Sequence, residues 1–263
     1  MFTYNNINVE GFGISPSGIA KFFSYPSVWY KEHVLGENGF VGNTSSVLGT
    51  IVHQTIESFC KGELTDTGTF NEAVSEFVHS EAIRLAELDV ELDTDLILAQ
   101  YKPMAMAAIN DYVRNNPPEQ VEGQLTLELE PGFWLKGTFD AYSNGTVIDW
   151  KTTGLMSAPK EIPWGYKIQS LAYAKMLIAS GTPVDRIAIG YITRDNVGRI
   201  SEKTGKKLTD YPSKITMLYH QITDDDWKEL DDALQLIVDS VRLVQEQPDL
   251  AYIIFKSMSI KEK

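Results

Sequence analysis

Apolar positions follow two rhythms along this chain, and the switch between them sets the expected architecture. Leu48, Val52, Ile56 and Phe59 step by three or four residues, which predicts a helix with its core face on that line. Phe70, Val74, Phe77, Val78, Ile83, Leu85 and Leu88 keep mostly the same spacing, and a further helical stretch runs from about Leu96 to Arg114, before Pro117-Pro118. The rhythm then changes to alternation: Leu125, Leu127 and Leu129 stand against Thr126, Glu128 and Glu130, as in a half-buried strand. Phe133–Tyr142 and Thr146–Lys151 read as two more strands joined through Ser143-Asn144-Gly145, an Asn-Gly hairpin turn. Ile162–Ser180 returns to helix and stops at Gly181 and Pro183, Arg186–Thr193 is an Ile-rich strand, and Trp227–Gln245 is a long amphipathic helix. Neither a repeat nor a long linker interrupts this order. The expectation is one α/β domain over 1–263 with a mixed sheet, carrying an acidic helical insertion at about 62–118.

Charge changes that picture in two places. The 263 residues carry 23 Lys+Arg against 36 Asp+Glu, a net charge of −13, which argues against binding a polyanion by bulk charge alone. Between Gly62 and Asp95 there are ten acidic residues and one basic, a solvated helical face by its composition. Asp224-Asp225-Asp226 after Thr223 reads as an N-cap with an acidic first turn, because adjacent helical positions point in different directions and do not converge on a metal. Arg194–Lys214 runs the other way, with six basic residues and three acidic ones. Cys60 is the sole cysteine, so an intrachain disulfide, Cys-ligated zinc and a Cys-held iron–sulfur cluster are all excluded. The N-terminus lacks a signal-peptide pattern and no stretch is long enough for a membrane span, so a soluble cytoplasmic protein is expected.

Candidate chemistry concentrates in Gly137-Thr138-Phe139-Asp140 and Val147-Ile148-Asp149-Trp150-Lys151-Thr152. Residues two apart in a strand share a face, so Asp149 and Lys151 project together, and Asp140 on the preceding strand can join them. Two carboxylates beside an ammonium are costly to bury without a ligand, and oxygen donors of this kind suit Mg²⁺ or Mn²⁺. Lys151 beside such a cation could orient or deprotonate a water. A surface Asp–Lys pair is the plain alternative. Upstream, Gly49, His53 and Glu57 fall at successive i, i+4 steps on one helix face, and downstream Gln169 and Tyr173 do the same.

Taken in order, these segments resemble the RecB-like exonuclease branch of the PD-(D/E)xK nuclease superfamily. That branch is marked by a GxxxH…E helix, a GxxD strand, a DxKT strand and a QxxxY helix, matched here by Gly49…His53…Glu57, Gly137…Asp140, Asp149-Trp150-Lys151-Thr152 and Gln169…Tyr173. Ser15-Pro16-Ser17 and Tyr25-Pro26-Ser27 are similar to its N-terminal segment, with Tyr25 where cluster-bearing members have Cys. The helicase motor's GxxxxGK[ST] loop is absent.

The resemblance implies a restriction-endonuclease-like core, a central mixed sheet flanked by helices, and metal-dependent hydrolysis of DNA phosphodiesters, as an exonuclease in recombination, repair or phage DNA end processing. It implies that Asp140, Asp149, the Trp150 carbonyl and His53 hold Mg²⁺ or Mn²⁺, that Lys151 acts on the water, and that Gln169 and Tyr173 contact substrate. Glu57 is left as a supporting group or a second-metal ligand. Lys203, Lys206 and Lys207 are the candidate phosphate contacts of the basic loop, which reads equally as a solvated connection. DNA is the expected partner, with a recombinase, a single-strand-binding protein or a helicase as protein partners. The competing reading is a catalytically silent nuclease-like fold that binds a partner.

Overall fold

The structure, a computed structural model, describes residues 9–37, 41–64, 67–196, 200, 204–207 and 209–257. The chain begins with β1 (Phe12–Ile14), α1 (Pro16–Ser24) and α2 (Pro26–His33), then runs through α3 (Thr44–Cys60), α4 (Thr67–Ala86) and α5 (Thr94–Ala108). Next come β2 (Gln120–Glu130), β3 (Phe133–Ser143), β4 (Thr146–Thr153), α6 (Trp164–Ala179), β5 (Arg186–Thr193) and β6 (Ile215–Gln221), and α7 (Asp224–Glu246) and α8 (Ala251–Ser257) close it. The expected α/β class with a mixed sheet is what forms.

Local chemistry sets many of the boundaries. Ser15 caps α1 by accepting from the Gly18 N–H, with Pro16 in the first turn, where its missing N–H costs nothing. Asn43 and Ser46 form a reciprocal capping box at the start of α3. Thr223 and Asp226 do the same for α7, as the sequence suggested, and Asp226 also meets Lys167 and His220. The hairpin turn is the expected one, with Asn144 and Gly145 at φ 48 and 74°.

The six strands make one sheet, with β1, β3, β4, β5 and β6 in lateral order and β2 on β3. A strand has two edges. Strand β2 covers one edge of β3 along its length, from Gln120↔Tyr142 to Glu130↔Phe133. The other edge is shared: β1 pairs in parallel with Phe133–Leu135, and β4 pairs antiparallel with Ala141–Ser143. Residues 136–140 therefore lack a ladder partner on that side, and the sheet opens there. Beyond Ile148, β4 continues only against β5, in parallel from Thr146↔Arg186 to Thr153↔Thr193.

Two cores sandwich the sheet. One gathers Ile19, Phe22, Trp29, Leu135, Val147, Leu171, Ile187 and Ile237 under α1, α2, α6, α7 and α8. The other gathers Leu48, Ile51, Val52, Val78, Ile97, Met104, Ile148 and Trp150 under α3, α4 and α5. Each fully buried aliphatic side chain contributes about 1.5–3 kcal/mol, so the acidic helices are a structural half of the molecule. Their acids Glu72, Glu76, Glu87, Asp93 and Asp95 face solvent as expected, while Glu81 is buried and ion-paired to Arg84.

Several sequence expectations need correction. Ile83 on α4 and Leu88 just past its end fit the apolar spacing but are 52% and 49% exposed. Strand β2 begins at Gln120, five residues ahead of Leu125, the first residue of the alternation. The apolar spacing assigns no element to Ile215–Gln221, which forms β6: an edge strand is half covered and shows little alternation. The apolar spacing assigns no element to β1, α1, α2 or α8, although Ser15-Pro16 and Tyr25-Pro26 stand at the starts of α1 and α2.

The gap in the β3 ladder is filled by close approach. A Cβ on Gly137 would lie 2.8 Å from Pro16 Cδ and 3.0 Å from Tyr173 Cε1. Gly137→Ala is therefore expected to destabilise the protein by about 1–3 kcal/mol through overpacking, measured as a lower urea midpoint with an unchanged m-value.

Candidate active site

The site lies where β3 and β4 part. Past the Ala141↔Ile148 pair, the Trp150 N–H has no strand to pair with on the β3 side, and it donates instead to Asp140 Oδ2 at 2.7 Å. His53 Nδ1, on α3, stands 3.3 Å from the same oxygen. Helix α3 can come this close because Gly49 faces β4: a Cβ there would be 3.2 Å from Thr152 Oγ1.

Asp149 and Lys151 share one face, as alternation requires. Lys151 Nζ donates to Asp149 Oδ1 at 3.0 Å and lies 2.7 Å from Oδ2. Asp149 Oδ2 is buried and receives no directed hydrogen bond among the described residues. Gln169 on α6 joins the pair, with its amide N–H 3.2 Å from Asp149 Oδ1 and its carbonyl 3.4 Å from Lys151 Nζ. The Tyr166 ring lies 4.9 Å from the Lys151 ammonium. A cleft of about 470 Å³ opens over these groups, lined among others by Ser45, Gly49, His53, Glu122, Asp140 and Lys151.

The electrostatics follow from burial and sign. Burial pushes Asp149 up to about 6, with the charge of Asp140 adding to it against the pull of Lys151. Burial would raise Asp140 too, but His53, Lys151 and the Trp150 N–H hold it below the usual carboxylate value. Burial alone would lower His53 and Lys151; their carboxylate neighbours outweigh it, and both are raised. Lys151 is thus an ammonium in this arrangement. It donates and orients; it does not take a proton.

Of the residues singled out from the sequence, Asp140, Asp149, Lys151, His53, Trp150 and Gln169 converge here. Tyr173 reaches the site from α6 as well: it is 8% exposed, its ring approaches Gly137, and it hydrogen-bonds to the Gln169 side chain, with Asp140 and Asp149 near enough to help burial push its phenol up. Glu57 lies one turn along α3, ion-paired to Lys61 and near enough to Glu122 for its charge to act on that carboxyl. Lys206 is exposed, Lys207 is exposed and ion-paired to Asp210, and Lys203 lies outside the described residues. From the same connection, Arg194 reaches the cleft rim, with its guanidinium donating to Ser45 Oγ at 2.9 Å.

Sequence reading missed Glu122. It stands opposite Asp140, between the Val121↔Ala141 and Gly123↔Phe139 pairs, with φ at 50°. That backbone is strained for a residue with a Cβ, and strain of this kind collects at functional sites. Burial, then Asp140 and Glu57, push its carboxyl up to about 8. The available signal was an acid beside Gly123, just ahead of the alternating strand.

Asp140 and Asp149 supply the oxygen donors a hard cation needs, and Asp149 Oδ2, buried and met by the Lys151 ammonium at 2.7 Å without a directed hydrogen bond, is the observation that fits a site for positive charge. Among the described residues no three His, Cys, Asp or Glu side chains are grouped so as to hold a metal ion by themselves. An open set of two carboxylates suits Mg²⁺ or Mn²⁺, which keep several waters.

The chain matches the family model of the PD-(D/E)XK nuclease superfamily over residues 13–249, and it belongs to that superfamily. Its fold is similar to that of a "Putative exonuclease" from Eubacterium rectale, at TM-score 0.55 and 19% identity, covering 90% of this chain and 82% of the other. A phage related exonuclease from Haemophilus somnus aligns at TM-score 0.44 and 15% identity, over 90% and 96% of the two chains. An alkaline exonuclease from Laribacter hongkongensis aligns at TM-score 0.37 and 10% identity, over 83% and 94%. No curated protein matches the sequence.

Glu122 gives a pH test. Its folded value of about 8 exceeds the ordinary 4.5, so its protonation favours the folded state. That contribution is complete below about pH 4.5 and is lost as pH rises toward 8. Metal-free wild type is expected to lose more melting temperature between pH 5 and 8 than Glu122→Gln does, by scanning calorimetry.

Proposed function

We propose that this nuclease hydrolyses DNA phosphodiester bonds as a metal-dependent exonuclease, in recombination, repair or phage DNA end processing. The observation that carries the reading is the buried Asp149 carboxylate held by Lys151, beside the half-buried Asp140, with Asp140 and Lys151 lining an open cleft. The exonuclease choice is supported by the description of the Eubacterium rectale protein. The silent, partner-binding alternative leaves unexplained why two acids and a lysine are desolvated together.

Asp140 and Asp149 would hold Mg²⁺ or Mn²⁺, with the Trp150 carbonyl as a backbone donor and Glu122 within reach of a second position. His53 contacts Asp140 and positions that carboxylate. Bound there, the cation supplies Lewis-acid stabilisation of charge building on the phosphate. Lys151 donates hydrogen bonds to the attacking water and to a phosphate oxygen, which fixes an in-line approach. Gln169 holds Lys151 and Asp149 in register. Arg194, Lys203, Lys206 and Lys207 would follow the DNA backbone, a local positive path on an acidic protein. No helix among the described residues is long and apolar enough to cross a membrane.

End-labelled single- and double-stranded DNA, incubated with Mg²⁺, Mn²⁺ or EDTA, tests the activity. Asp149→Asn and Lys151→Ala are expected to slow cleavage by about 10²–10⁴ while circular dichroism stays that of wild type. Wild-type rates in either variant would remove these residues from the chemistry. Neutralising Lys203, Lys206 and Lys207 together is expected to weaken DNA binding on every sequence. The slope of log affinity against log salt should become shallower by about 0.7–0.9 per lost phosphate contact.

A further inference from the structure

Lys151 occupies the place a cation would need. Its ammonium neutralises Asp149, at 3.0 Å from Oδ1 and 2.7 Å from Oδ2. A divalent ion taking Oδ2 displaces the ammonium from that oxygen and weakens its hold on the carboxylate, and a charge loosened inside a buried site needs other partners. Two acceptors are already at hand: the Gln169 carbonyl at 3.4 Å and the face of Tyr166 at 4.9 Å from the ring centroid. The ring is itself supported. Tyr191 lies beside Lys151 in the parallel β4–β5 pair, is 5% exposed, and meets Tyr166 at 6.3 Å between ring centroids. Tyr191 Oη has no hydrogen-bond partner among the described residues, so its ring, and not its hydroxyl, is what the packing uses. Tyr166 is 37% exposed at the start of α6, so its ring borders solvent on one side and the Lys151 ammonium and the Tyr191 ring on the other.

We propose that Tyr166 is a positioning residue: its ring receives the Lys151 ammonium when a divalent cation takes Asp149, and keeps that ammonium in the site for the reaction. This inference rests on the metal-dependent reading above. The ring and the carboxylate share the ammonium in the metal-free protein. Once the carboxylate is taken, the cation–π contact tightens and offsets the loss of the ion pair, so only a ring at this position eases metal entry.

Calorimetric Mn²⁺ binding to the full-length protein tests this without reference to cleavage. Tyr166→Leu is expected to weaken Mn²⁺ binding roughly 3- to 10-fold, and Tyr166→Phe, which keeps the ring, to bind as wild type does. In a Lys151→Met background, where no ammonium competes, Tyr166→Leu is expected to change nothing, which closes the double-mutant cycle. Mg²⁺ titration followed by NMR adds a direct signature. The Lys151 ε-methylene resonances should move further upfield as they settle over the ring, and Tyr166→Leu should abolish the movement. Equal weakening by Tyr166→Leu with and without Lys151, or no weakening at all, would overturn the inference. If Asp149→Asn binds Mn²⁺ as tightly as wild type, the metal reading fails and this inference falls with it. If Asp149→Asn abolishes binding and Tyr166→Leu leaves it intact, this inference alone fails.

Discussion

The hydrogen bond from the Trp150 N–H to the Asp140 carboxylate stands in for a missing stretch of sheet, and the site is organised around it. Strand β3 gives one edge wholly to β2 and divides the other between β1 and β4, so its middle has no backbone partner on that side. An unpaired buried N–H costs about 1–3 kcal/mol, and Asp140 satisfies it at the point where β4 leaves β3. The carboxylate is thereby fixed at the mouth of the opening, facing His53 on one side and the Asp149–Lys151 pair on the other.

That constraint explains why the surrounding residues are small or polar at particular positions. Gly137 admits Pro16 and Tyr173 into the gap, which brings α1 and α6 against the opened sheet. Gly49 lets α3 approach Thr152, which brings His53 to Asp140. The two halves of the molecule, one core on each face, meet at the site through these contacts. The carboxylates that result are under mutual strain. Asp149 rises to about 6 and Glu122 to about 8, and both are eased when positive charge arrives.

Much of this was legible in the sequence because it rests on local rules. Alternation places Asp149 and Lys151 on one face whatever the rest of the fold does. Helical spacing brings Gly49 and His53 to the same line, and the Asn144-Gly145 turn returns β4 beside β3. What stayed hidden depends on partners distant in sequence. Glu122 becomes a site residue only because β2 pairs with β3 in a register that sets it opposite Asp140. Tyr166 matters through Lys151, fifteen positions earlier in the chain. Gln169 and Tyr173 fit a motif spacing and the fold keeps them together: Gln169 holds the Asp149–Lys151 pair, and the Tyr173 hydroxyl hydrogen-bonds to the Gln169 side chain while its ring lies against Gly137. Ile83 and Leu88 show the opposite failure, because spacing names an apolar stripe without saying how far a neighbouring helix extends to cover it.

The account stands or falls on whether the two aspartates hold a cation. The most direct measurement is an anomalous difference map from crystals of the wild-type protein soaked in Mn²⁺. The expected result is a peak bridging Asp140 and the Asp149 Oδ2 side, with the Lys151 ammonium withdrawn toward Tyr166 and Gln169. A map with no peak at these carboxylates, while Lys151 remains on Asp149 and the protein still cleaves DNA in Mn²⁺, would contradict it.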